Sequence, residues 1–99
     1  MYNISEYIRY VRQRVYYAEL NLISISDDEY SFYKNISDSI VPWIQQHCIY
    51  PNYWLKGCSV KYYVRSTHVN RKTVYRHLYR EYNMLIHIIL KLENEGDKE

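Results

Sequence analysis

Seven lysine and arginine residues stand in the middle of this chain with no acidic residue among them. The acid-free segment covers residues 39–80, and its cations are Lys56, Lys61, Arg65, Arg71, Lys72, Arg76 and Arg80. Residues 1–38 carry four cations against six acids and residues 81–99 carry two against five, so the net charge of +2 conceals a +7 block. Such a block gives a folded domain a positive face, which attracts phosphate groups at long range. A solvated basic face without a partner is the alternative interpretation.

The densest part of this block, residues 69–78, has the pattern of a short turn followed by a basic helix. Asn70 can cap the helix, and Val74 and Leu78 recur at the spacing of a buried helix face. The segment upstream is long enough for one more short helix across a tight turn.

Residues 59–78 resemble the helix-turn-helix of DNA-binding transcription regulators. Second helices of that family often read S-R-x-T-V-Y-R-H-L, and this chain reads N-R-K-T-V-Y-R-H-L from Asn70 onwards. In that family the second helix lies in the major groove with its first turns facing the base edges. Arginine is suited to guanine, asparagine to adenine, and lysine or tyrosine to phosphates. The resemblance implies contact with double-stranded DNA by Asn70, Arg71, Lys72, Tyr75 and Arg76.

Three positions in the first half of the unit depart from the family pattern. His68 stands where glycine is usual, so it must adopt a left-handed backbone or make a different turn. Val64 replaces the usual small residue, and Thr67 replaces an apolar one. Residues 60–66 also alternate as a strand would. A helix there favours DNA binding, and a strand favours a protein without that role.

The elements that must hold this unit are predicted to be helices. Apolar residues recur at four- and three-residue steps over residues 4–22, which predicts an amphipathic helix. Ser26, followed by three acids, predicts the start of a second helix. Pro42 is expected to interrupt that helix, with Ser37 or Ser39 capping a further one.

The clearest element is a long C-terminal helix over residues 70–95, which Gly96 is expected to end. Residues 84–90 of this helix are apolar nearly all round, and such a helix is buried in its domain or against a second subunit. In a chain this short, a homodimer through this helix is the expected way to cover it. Upstream, residues 47–57 have the pattern of a connector in which three aromatic residues cover the core: Tyr50, Tyr53 and Trp54.

Together these patterns predict a mainly α fold: a compact helical domain with a helix-turn-helix-like unit and a long C-terminal helix, with room for one short β-hairpin. The alternative is an α+β fold in which residues 20–26 and 59–66 are strands. Two glycines and two prolines leave few tight turns, which favours helices. We expect one domain over residues 1–96 and a frayed tail at residues 97–99.

Several function classes are not expected. No apolar run reaches membrane-spanning length and no secretion signal is recognisable, so the protein is expected inside the cell. The only cysteines, Cys48 and Cys58, form no disulfide framework, although one bond between them stays open. Together with His47 and His68 they match no zinc spacing, so no metal is expected. The acids lie at a helix start and in a tail, so no catalytic site, cofactor or small-molecule ligand is expected.

The composition is rich in tyrosine, with 14 in 99 residues, and poor in glycine. In this it is similar to small uncharacterised proteins of filamentous viruses that infect hyperthermophilic archaea. That resemblance implies a thermostable fold, a location in the host cytoplasm and a role in viral gene regulation. The expected function is that of a small viral transcription regulator that binds duplex DNA through the helix starting at Asn70. The alternative is a thermostable viral structural or protein-interaction protein without nucleic-acid binding.

Overall fold

The computed structural model describes residues 3–97, with side chains through residue 95, and these residues form five helices. The helices are α1 (Ile4–Glu19), α2 (Asp27–His47), α3 (Pro51–Lys56), α4 (Val60–Thr67) and α5 (Arg71–Asp97). The described residues contain no strand, so the predicted mainly α fold is confirmed. The predicted hairpin is wrong, and so is the alternative with strands at residues 20–26 and 59–66.

The first helix ends at Glu19, three residues earlier than the apolar spacing predicts. Asn21 adopts a left-handed backbone with φ 59°. The amides of Asn21 and Leu22 then bond back to the carbonyls of Ala18 and Tyr17, at 3.1 and 2.9 Å. This pair of bonds closes a helix C-terminus, and asparagine tolerates the left-handed position better than most residues. Leu22, predicted to lie on the buried stripe, is consequently 66% exposed.

The second helix continues through Pro42, contrary to the prediction that this proline separates two helices. Proline has no amide hydrogen, so one intrahelical hydrogen bond is lost at this position. Helix α2 nevertheless packs against both α1 and α5. One apolar stripe stays fully buried on both sides of the proline: Ile36, Ile40 and Ile44. Burial of this stripe outweighs the missing bond, and neither Ser37 nor Ser39 begins a new helix.

The connector over residues 47–57 packs its aromatic side chains in or against the core, as the sequence predicts, but it also contains a helix. Pro51 occupies the first position of α3, where its fixed φ suits a helix. Tyr50 and Trp54 are fully enclosed in the core, and Tyr53 is half-buried beside Trp54 with ring centroids 4.9 Å apart. The hydroxyl of Ser5 in α1 donates to the carbonyl of Tyr53 at 3.0 Å and so holds α3 against α1.

The carboxylate of Glu81 connects this connector to α5. Glu81 is only 4% exposed. It accepts hydrogen bonds from the amide of Ile49 at 2.5 Å and from the indole Nε1 of Trp54 at 3.0 Å. Burial, reinforced by the nearby carboxylate, raises the pKa of the Cys48 thiol to about 12. In the described part of the chain no cation pairs with Glu81, so these two hydrogen bonds must compensate for the desolvation of the carboxylate.

The fifth helix is 27 residues long and therefore spans about 40 Å. Its buried face carries Val74, Leu78, Leu85 and Ile89. The predicted end at Gly96 is one residue short, since α5 runs to Asp97. The remainder of the predicted tail, residues 98–99, lies outside the described residues.

We predict that Glu81→Ala lowers the free energy of unfolding by about 3 kcal/mol, because the buried indole of Trp54 and the partly buried amide of Ile49 lose their acceptor. The exposed Glu95 on the same helix provides the matched control. Its replacement by alanine should change the free energy of unfolding by no more than about 0.5 kcal/mol. Urea denaturation followed by circular dichroism measures both values. Equal effects of the two substitutions would contradict the role given to Glu81.

Candidate nucleic-acid interface

Residues 59–78 form a helix, a three-residue turn and a second helix. Ser59 begins the unit, and its side-chain oxygen accepts the amide of Tyr62 at 3.1 Å. Residues 60–67 are helical, although apolar and polar side chains alternate along them as in a strand. Helix α4 packs against α5, and one helical face suffices to bury Tyr63.

The turn depends on the backbone of His68. This residue adopts φ 59° and ψ 20°, which is the left-handed conformation and the first of the two possibilities that the sequence left open. Its amide bonds to the carbonyl of Val64 at 3.1 Å. The Thr67 hydroxyl donates to the carbonyl of Tyr63 at 2.6 Å and accepts the amide of Val69 at 3.4 Å. A polar residue at position 67 is therefore useful here, because it satisfies backbone groups at the turn.

Asn70 caps the second helix. Its side-chain oxygen accepts the amide of Lys72 at 2.8 Å, and its carbonyl accepts the amides of Thr73 and Val74 at 3.0 and 3.1 Å. The predicted cap is thus confirmed. Of the five residues predicted to contact DNA, Asn70 is therefore the one whose side chain already has a structural task. Its amide nitrogen remains available as a donor.

Val74 and Leu78, which the spacing placed on a buried helix face, lie in the core. Val69 packs against the core half-buried. Tyr63 of α4 lies against Tyr50 with ring centroids 4.7 Å apart. Its hydroxyl is buried with no hydrogen-bond partner among the described residues, and burial is the main cause that raises its pKa. These contacts hold α4 and the first turns of α5 on the rest of the domain.

The face of α5 opposite Val74 and Leu78 is exposed to solvent. Arg71, Lys72, Tyr75 and Arg76 are all exposed, as is Arg80 one turn further on. The ion pairs between residues 3 and 97 are Arg14–Glu29, Lys34–Glu19 and Lys34–Asp38. No cation of the acid-free segment takes part in them. The structure therefore leaves the charge of this face uncompensated by the protein itself.

The residues predicted to contact DNA did not include two cations on the first helix of the unit. Lys61 and Arg65 are four residues apart on α4, so they lie on one helix face. With Tyr62 and Ser66 they line a shallow depression of about 360 Å³. The four-residue spacing of Lys61 and Arg65 could have indicated that they share a helix face. That conclusion holds only if residues 60–67 are helical, which the sequence left open.

Other kinds of site find little support in the described residues. Between residues 3 and 97 no group of three His, Cys, Asp or Glu side chains is placed to hold a metal ion. Cys48 and Cys58 are free thiols. None of the described helices is sufficiently long and apolar to cross a membrane.

Comparison with known proteins identified no relative of this chain. No protein-family model, no curated protein and no solved structure matches this chain. The helix-turn-helix resemblance therefore rests on the residues and geometry described above.

We predict opposite effects on stability for two substitutions of His68. His68→Gly should raise the free energy of unfolding by about 0.5–1 kcal/mol, because glycine adopts positive φ without strain. His68→Val should lower it by about 1–2 kcal/mol, because a β-branched residue is strained there. Urea midpoints measure both changes. Shifts in the same direction would mean that the left-handed turn does not limit stability.

Proposed function

We propose that this chain is a small transcription regulator that binds double-stranded DNA through the first turns of α5. The observation that carries the proposal is the combination of a helix–turn–helix unit with an uncompensated basic face. Arg71, Lys72 and Arg76 project from the second helix, and no acidic side chain between residues 3 and 95 pairs with them. Charges that the protein does not neutralise itself are available to replace the counterions of a phosphate backbone.

In this proposal the two helices have different tasks. The start of α5 lies in the major groove, where Arg71 and Arg76 pair with guanine edges and Lys72 and Tyr75 bond to phosphates. Asn70 holds the helix start and offers its amide nitrogen. Lys61 and Arg65 of α4 face the flanking phosphate backbone. The viral setting remains a prediction from composition alone.

We predict that Arg71→Ala combined with Arg76→Ala weakens binding strongly and reduces its salt dependence. On random-sequence DNA no guanine is fixed opposite the two arginines, so both contact phosphates. Each lost phosphate contact removes about one counterion from the exchange, so the slope of log K against log[salt] should fall by about two. Fluorescence anisotropy with random-sequence duplex DNA, titrated at several salt concentrations, measures the slope.

The control for this experiment is Lys91→Ala. Lys91 is an exposed cation of the same helix, roughly 30 Å from Arg71 at 1.5 Å per residue. Its removal should leave affinity and slope unchanged. A double Arg71/Arg76 variant that binds like the wild type would refute the assignment of the site, and absence of any binding at low salt would refute the function.

We infer further that the regulator is a homodimer through the C-terminal half of α5. The supporting observation is that only one side of this apolar segment is covered. Leu85 and Ile89 are fully buried, whereas Met84 and Leu90 are 47% and 52% exposed. Exposed apolar residues on a long helix are suited to pack against the same helix of a second copy, related by twofold symmetry.

We predict that Met84→Glu combined with Leu90→Glu weakens self-association at least tenfold, because both charges would be buried at the interface. Analytical ultracentrifugation distinguishes a dimer from the 12.3 kDa chain. Leu22→Glu is the matched control, since Leu22 is exposed and apolar but lies far from α5 in sequence. A monomeric wild type, or dissociation caused by the control instead, would contradict this interface.

One observation favours the alternative function of a protein-interaction module without nucleic-acid binding. The connection between α1 and α2 exposes Leu20 and Leu22, and a depression of about 580 Å³ beside it is lined in part by Ile23 and Ile25. Apolar residues clustered at one end of a domain often mark protein contacts. In that case self-association or partner binding would ignore DNA, and the salt titration would show no binding.

A further inference from the structure

Three tyrosines of α5 differ from every other tyrosine in residues 3–97. The rings of Tyr75, Tyr79 and Tyr82 make no contact with another aromatic ring, and their hydroxyls form no hydrogen bond within this part of the chain. The others each have a ring partner or a bonded hydroxyl: Tyr7, Tyr10, Tyr16, Tyr17, Tyr30, Tyr33, Tyr50, Tyr53, Tyr62 and Tyr63.

These three side chains line one groove. The groove has a volume of about 400 Å³, which is within the range of small-ligand sites. Tyr75 and Tyr79 are 55% and 68% exposed, and Tyr82 is half-buried. Tyr53 and Trp54 of α3 line it as well. The groove is therefore an aromatic cleft that opens beside the outward face of α5.

The side of the groove formed by α3 is held rigidly. Ser5 donates to the carbonyl of Tyr53 at 3.0 Å, and the Trp54 indole donates to Glu81 at 3.0 Å. A wall fixed by buried hydrogen bonds loses little conformational entropy when a flat ring binds against it. The exposed tyrosines opposite are the adaptable side of the groove.

Uncompensated cations stand next to the groove. Arg71 lies one helical turn before Tyr75, and Arg76 lies three residues before Tyr79, so each cation is a helix neighbour of a groove tyrosine. The carboxylate of the buried Glu81 already accepts hydrogen bonds from the amide of Ile49 and the indole of Trp54. An occupant that is complementary to this surface combines a flat aromatic ring with a negative charge attached close to it.

We propose that the groove receives one unstacked nucleobase, so that the preferred ligand is a DNA duplex with an unpaired base at a bulge or a single-strand junction. In this complex the base stacks on Tyr75 and Tyr79, and its phosphates lie at Arg71 and Arg76. These contacts replace the phosphate contact of Tyr75 and the guanine contacts of the two arginines at a fully paired site. This inference rests on the proposed function and names the class of nucleic acid that the same face selects. A paired base cannot enter, because its ring is enclosed in the duplex stack.

The test compares three labelled duplexes of the same sequence: one fully paired, one with a single bulged base, and one with a bulged abasic nucleotide. Stacking of a base on an aromatic side chain is expected to tighten binding of the base-containing bulge about tenfold over the paired duplex. The abasic bulge has the same backbone charge and flexibility, so it should lose most of this gain. The salt slope should be equal for all three, since stacking releases no counterions.

Variants of Tyr79 identify the groove as the origin of the preference. Tyr79→Ala should abolish the tenfold preference, and Tyr79→Phe should keep it, because the ring and not the hydroxyl is needed. Tyr79 is largely exposed, so its truncation leaves no core cavity. Tyr16→Ala, at an equally exposed tyrosine of α1, is the control and should keep the preference.

The outcomes separate this proposal from the function on which it rests. Equal, salt-dependent binding of the paired and bulged duplexes would overturn the groove and leave the duplex-binding function standing. Equal gain from the abasic bulge would do the same, since the selected feature would then be flexibility. Absence of binding to all three duplexes at low salt would overturn both.

Discussion

The buried carboxylate of Glu81 is the interaction on which the arrangement of this domain depends. It lies on α5 between the basic first turns and the apolar C-terminal half. Through Ile49 and Trp54 it connects that helix to the connector and to α3. Removing a carboxylate from water is costly, and this cost is offset only when both donors are in place. The bonds are therefore specific: they set where α3 stands along α5, which a purely apolar contact would leave less defined.

That position of α3 has a consequence for the surface. Trp54 has its indole nitrogen on Glu81 and its ring beside the groove that the tyrosines of α5 line. The same side chain thus belongs to the core and to the candidate ligand surface. Helix α4 likewise has a buried and an exposed side: Tyr63 is buried against Tyr50, and Lys61 and Arg65 are exposed. Each of these helices buries one side in the fold and leaves the other side exposed.

Charge segregation is what makes this face unusual. The ion pairs of the described residues lie on α1 and α2, where acids and cations alternate. The acid-free segment contributes to none of them. Exposed ion pairs stabilise a fold very little, so the fold loses little by leaving these cations unpaired. Their mutual repulsion is reduced when phosphates approach, and this reduction is the physical basis of the proposed affinity for nucleic acid.

Local signals in the sequence determined where most helices begin and which faces they bury. Ser26, Ser59 and Asn70 cap helices because their side chains bond amides only two or three residues away. Tertiary structure decided the rest. It kept α2 helical through Pro42, made residues 60–67 a helix despite their alternation, and assembled Glu81, Trp54 and the tyrosine groove from segments distant in sequence. Burial and long-range hydrogen bonds control these features, and no local pattern of residues records which distant segment will supply the partner.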